Sequence, residues 1–282
     1  MKVLKLIFIK VVLLTPICLM AQKDWLIQPI SKKAEIVVNN QYINMDNGLV
    51  KRSFYMGANL ACIDYTNLTT GQQLLRSIEP EARVVINGNP YNVGGLIGQS
   101  EKAYLIKGSE KGLTTDKDAF QFKAYKIQII SDYIQWKPNS WLSNRKQPTG
   151  KSIRLLFISN KPELQNILIS VMYNIYDGIP LITKWIEIVN NGEQKLKINR
   201  VVNEVLGLVE EESAVVGKPE VMKKQHGIYV ETNYAFNNAM RYDISDQTTH
   251  WKTDSSYTSQ VNYNFETPCL LEIYPERAPG IE

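Results

Sequence analysis

Short turn signals cut this chain into runs too brief for helices. Asn39-Asn40, Asn47-Gly48, Asn87-Gly88, Asp177-Gly178 and Asn191-Gly192 pair residues that tolerate the backbone of a tight turn. Between them the apolar positions recur every second residue, the period of a strand with one face buried. Residues 34–38 and 41–46 read as two strands joined at Asn39-Asn40. Residues 49–56 follow, with Leu49, Lys51 and Ser53 alternating against Val50, Arg52 and Phe54. Asn87-Gly88 between residues 83–86 and 90–93 is the clearest hairpin signal. Residues 121–130, 153–157, 167–176 and 181–189 are further strands, and 195–209 is long enough for a strand that bends once. Helical candidates are few, at 74–77 and 213–224, and neither has a clean cap. The expectation is an all-β fold, a large antiparallel sandwich with few short helices, and a single unit of this length is acceptable.

The first residues differ in kind. Lys2 and Lys5 precede an apolar run, and Ile17 to Ala21 leads into polar Gln22-Lys23-Asp24. That is the layout of a secretory signal peptide, placed at residues 1–21 with cleavage after Ala21. Lys10 and Pro16 interrupt the run, which falls short of the roughly 20 apolar residues of a membrane span. Residues 22–282 are then the mature domain, exported to the periplasm or outside the cell, with no membrane attachment after cleavage.

Losing Lys2, Lys5 and Lys10 takes the formal charge from +4 to +1, which gives no electrostatic case for nucleic acid. Hydrophobic residues make up 44% and charged residues 21%, ordinary for a chain with a packed core. Cys62 and Cys269 remain in the mature chain, each among apolar neighbours. An oxidising compartment permits a disulfide, but two buried thiols are the favoured reading. His226 and His250 lack partners at zinc-like spacing, so neither a metal nor another cofactor is expected.

Catalytic readings are weak. Asp64, Glu79, Glu81, Asp177, Glu187 and Glu204 could supply a carboxylate pair, but with 28 acidic residues no pairing stands out. Glu210-Glu211-Glu212 reads as a solvated loop. Lys252-Thr253-Asp254 could set a cation beside a carboxylate, but its polar neighbours favour a loop. Trp136 and Trp141 are more informative, because clustered indoles suit the apolar faces of sugar rings. The alternative, that both rings cover the edge of the core, stands beside it.

Several segments together resemble a known family. They are Asp46-Asn47-Gly48-Leu49-Val50-Lys51-Arg52, Asp64-Tyr65-Thr66-Asn67-Leu68, and Thr70-Gly71-Gln72-Gln73-Leu74-Leu75-Arg76. Pro80-Glu81-Ala82-Arg83, Tyr91-Asn92-Val93-Gly94-Gly95, Trp136-Lys137-Pro138 with Trp141, and Tyr176-Asp177-Gly178-Ile179-Pro180 continue the likeness. Residues 43–282 resemble the N-terminal β-supersandwich domain (galactose mutarotase-like) of α-galactosidase-like glycoside hydrolases, in the clan containing family 36. The resemblance implies that the catalytic aspartates lie in a following (β/α)8 barrel, so no catalytic residue is assigned here. It also implies that the chain is a fragment, stopping before its last sandwich strand and the barrel. The implied role is support of carbohydrate binding, with an oligosaccharide or polysaccharide as partner and Asp64, Tyr65, Arg76, Trp136 and Trp141 as candidate substrate-binding residues. Arg76 and Arg83 could instead pair with Glu79 or Glu81 within the domain. A stand-alone carbohydrate-binding module is the alternative function, and a homo-oligomer is left open.

Overall fold

The computed structural model describes residues 24–100, 102, 104–130, 148–209, 227–233, 248–254 and 269–276. Among the described residues there are sixteen strands and two single-turn 3-10 segments, and every pairing between these strands is antiparallel.

The first sheet is a meander of β1 (Glu35–Asn39), β2 (Tyr42–Asp46), β3 (Val50–Met56), β4 (Leu60–Asn67) and the two-residue β5 (Gln72–Gln73). Alternation sets its faces. Ile43, Met45 and Phe54 are fully buried on one side. Asn44, Ser53 and Asp64 pair across the strands and share the other. A bulge between Ser53 and Phe54 adds Ile63 to β4 and keeps both phases in register.

β7 (Ala82–Ile86) and β8 (Asn89–Val93) form the expected hairpin. Asn87 and Gly88 take φ of 51° and 83°, both left-handed, as a two-residue turn matched to strand twist requires. β13 (Ile198–Val202) joins the outer edge of β7 to complete a three-stranded sheet. β9 (Gln121–Ile129), β10 (Gly150–Ile158), β11 (Ile167–Tyr176) and β12 (Ile182–Asn190) make a sheet of sequential neighbours. The fourth sheet is assembled from distant parts of the chain: β15 (Thr249–Lys252), β16 (Leu270–Ile273), β14 (Glu204–Leu208) and β6 (Leu75–Ser77).

Three expectations change. The helix at residues 74–77 is instead β6, whose three residues are all buried and pair with β14. Gly207 suits the close approach of these strands, since a Cβ there would run into the Ser77 side chain. Lys252, expected in a polar loop, lies in β15. The bent strand of residues 195–209 breaks at Asn203 into β13 and β14, which serve different sheets. Asn203 fixes the break, its amide donating to the Ile273 carbonyl at 2.8 Å and its side chain to the Lys184 carbonyl at 3.2 Å. The signal segment and the helical candidate at 213–224 lie outside the described residues.

One apolar core runs through all four sheets. It includes Phe54 from the first, Ile86 from the hairpin sheet, Tyr173 from the sheet of β9 to β12 and Leu206 from the fourth. Cys62 and Cys269 are both buried, and neither is in a disulfide.

Candidate functional site

The polar face of the first sheet carries a pocket of about 530 Å³, within the range of small-ligand sites. Its floor follows from strand periodicity. Tyr42 and Asn44 of β2, Lys51 and Ser53 of β3, Asp64 of β4 and Gln73 of β5 line it. Residues 105–111 form the facing wall, and the 3-10 turn Ser109–Gly112 anchors it. Glu110 in that turn is buried and accepts the Tyr42 hydroxyl at 2.8 Å, which pushes the phenol up to about 12.

Asp64 is the polar centre. Lys51 Nζ lies 2.6 Å from Oδ2, while Thr66 Oγ1 and Gln73 Nε2 donate to Oδ1 at 2.5 and 3.1 Å. A carboxylate offers about four acceptor sites and an ammonium three donors. Acceptor capacity on Asp64 and donor capacity on Lys51 therefore remain for a ligand. Ser53 donates to Asn44 at 2.8 Å, adding a hydroxyl and an amide to the floor. Donors and acceptors alternate over a few ångströms, with Ile63 and Leu105 as the apolar share of the lining.

Of the candidate residues that the structure describes, only Asp64 lines this pocket. Tyr65 is its neighbour in β4 and projects to the opposite face, as alternation demands. Its ring lies 5.1 Å from the Arg52 guanidinium carbon, and burial pushes its hydroxyl up to about 12. Arg76 is fully buried and acts within the protein: Nη1 donates to the Lys102 carbonyl at 2.7 Å and Nη2 to Asp254 at 3.0 Å. Arg83, not Arg76, approaches Glu79 (3.7 Å), and it also bonds Glu272. Trp136 and Trp141 lie outside the described residues.

A buried charged cluster sits beneath the pocket floor, on the inner face of β3. Arg52 is 2% exposed and grips Glu204 with both Nη atoms, at 2.7 and 3.1 Å. Lys184 Nζ reaches the same carboxylate at 2.8 Å and also donates to the Glu81 carbonyl. Glu81 accepts the Cys62 amide at 2.8 Å and the Tyr173 hydroxyl. Burial alone would raise the Glu204 carboxyl, but Arg52 and Lys184 outweigh it and hold it below its ordinary value. Burial pulls Lys184 below its own, Glu204 offsetting part of the effect. Two cations and two carboxylates sit together here, with Arg52 Nε buried and unpartnered among the described residues, and the shared Glu204 makes the cluster a tie between sheets.

Strand phase signals this cluster in the sequence. Arg52 shares the phase of Val50 and Phe54, and Lys184 that of Ile182, Ile186 and Ile188. A cation on an apolar face implies a buried partner. The pocket wall at 105–111 has no comparable periodicity and gave no sign.

Among the described residues, no group of three or more His, Cys, Asp or Glu side chains could hold a metal ion. No described helix is long and apolar enough to cross a membrane. A scan against protein-family models and a search of curated proteins both found no match to this chain.

Proposed function

We propose that this chain is the N-terminal, non-catalytic β-supersandwich domain of an exported, α-galactosidase-like glycoside hydrolase, and that it binds carbohydrate for a catalytic barrel. The observation that carries the reading is the Asp64 pocket. Its carboxylate, ammonium, amide and hydroxyl groups alternate as the hydroxyls of a sugar ring do, and apolar side chains flank them. The motif resemblance runs through the same residues, since Lys51, Asp64 and Gln73 all lie in the segments that carry it.

A second reading has one observation in its favour. The pocket floor is built on adjacent strands of one sheet and its wall on the single stretch 105–111, a self-contained frame that suits a carbohydrate-binding module acting alone.

Titration calorimetry with α-galactosides tests the shared core of both readings. The protein is expected to bind, and Asp64→Asn to weaken binding roughly tenfold or more, the worth of a hydrogen bond to a charged group. A folded protein indifferent to every sugar offered overturns both. The first reading alone falls if the uninterrupted gene product, with whatever follows residue 282, hydrolyses no glycoside.

A further inference from the structure

We propose that the Asp64 pocket is one end of an extended groove that holds an oligosaccharide of at least three units, passing Tyr104 to a charged pocket at Glu79, Arg83 and Lys102. This rests on the carbohydrate reading above and specifies its ligand as a chain.

Three cavities carry the inference because they share walls. A second cavity, of about 270 Å³, is lined by Ile78, Glu79, Arg83, Asn92 and Lys102, and Ile78 also borders the Asp64 pocket. A third, of about 200 Å³, lies between them. It shares Gly98 and Gln99 with the second cavity, and Ile106 and Ser109 with the Asp64 pocket. All three are well above the roughly 10–15 Å³ that a single water requires.

The chemistry suits a polyhydroxylated chain along the whole path. In the middle, Tyr104 is 56% exposed and lines the third cavity, an aromatic face open to stacking. Ile106 in the same cavity and Ile97 in the second are about as exposed and offer apolar contact to ring C–H groups. At the far end Glu79 accepts Lys102 Nζ and Ser77 Oγ, both at 3.2 Å. Arg83 lies 3.7 Å from the same carboxylate and Asn92 adds an amide to the wall, so acceptors and donors again alternate. Lys102 is held from behind, its carbonyl bonded by buried Arg76, which is itself fixed on Asp254. Arg76 is thus a positioning residue for this end of the groove.

Calorimetry on galacto-, gluco- and xylo-oligosaccharides of one to four units tests the proposal. Affinity for the preferred sugar should rise with each unit to three. Tyr104→Ala should lower trisaccharide affinity roughly tenfold, the upper worth of one aromatic contact, and leave the monosaccharide unchanged. Asn92→Ala, which touches none of the ion pairs, should cost only the longer chains, whereas Asp64→Asn should weaken every length. Affinity independent of length but still sensitive to Asp64→Asn overturns the groove and leaves the pocket reading intact. Length dependence untouched by Tyr104→Ala overturns this route for the chain. A folded protein that binds no length of any series overturns groove and pocket together.

Discussion

Arg52 and Lys184 sit on the apolar faces of β3 and β12, where an isolated charge would cost several kcal/mol in desolvation. The bidentate grip on Glu204 and the contact from Lys184 offset that cost only while all three stay paired. Glu204→Gln leaves two buried cations facing a neutral amide, and stability at neutral pH should fall by about 3–5 kcal/mol. Acid gives a second readout. The Glu204 carboxyl is held below its ordinary 4.5, so its stabilisation is fully present above that pH and is lost as pH falls through the lower, native value. The gap between parent and variant in urea denaturation should therefore be widest at neutral pH and narrow steadily below 4.5. A gap that is small at neutral pH, or constant on acidification, means that Glu204 does not carry the cluster. At this scale the sequence was half legible. Phase marks Arg52 and Lys184 as inward-facing, but their shared partner lies 152 and 20 residues away, and nothing local points to it.

Hairpins were the legible elements, because a turn dipeptide and two alternating flanks are local, and β7–β8 follows from them alone. β6, β15 and β16 were not, because short strands of this kind exist through partners far along the chain. Leu75–Ser77 becomes extended by pairing with β14, and Thr249–Lys252 by pairing with β16. The candidate site divides in the same way: the polar phase of β2, β3 and β4 is readable and places Asp64, whereas the wall at 105–111 is not. Turns also do more than reverse the chain. Asn47, readable only as a turn residue, is fully buried and accepts the Leu49 and Val50 amides, both at 2.9 Å. Its own amide donates to the Tyr176 and Ile179 carbonyls, both at 2.7 Å, so the β2–β3 turn is clamped onto the β11–β12 turn. Asn47→Ala strips four partners at once and should destabilise the protein by roughly 2–4 kcal/mol, since each buried group left unsatisfied costs about 1–3 kcal/mol. Asn47→Asp keeps the two acceptor bonds and loses both donors, so it should not rescue. Chemical denaturation of the two variants checks this, and a loss under 1 kcal/mol in both would show that the clamp contributes little.

Across the whole molecule, the shared core implies that the four sheets unfold together. Cys62 belongs to that core, and Cys269 is buried at the start of β16, where its carbonyl accepts the Leu208 amide at 2.8 Å. The two residues therefore report on the first and fourth sheets. Burial pushes the Cys62 thiol up to about 12, and the thiolate is the species that reacts, so alkylation in native buffer should be negligible. Pulse alkylation across a urea series, read peptide by peptide in a mass spectrometer, follows each cysteine separately. Because Leu75, Leu206 and Leu271 of the fourth sheet pack in the same cluster as Phe54 and Tyr173, neither sheet can open without exposing the other's core. Both cysteines should become reactive at one urea concentration, coincident with the loss of tertiary fluorescence, as a two-state unit requires. Labelling of Cys269 at a clearly lower concentration would make β14–β16 a separately opening unit. The buried tie from Glu204 to Arg52 would then have to break in that step, because it joins β14 to β3.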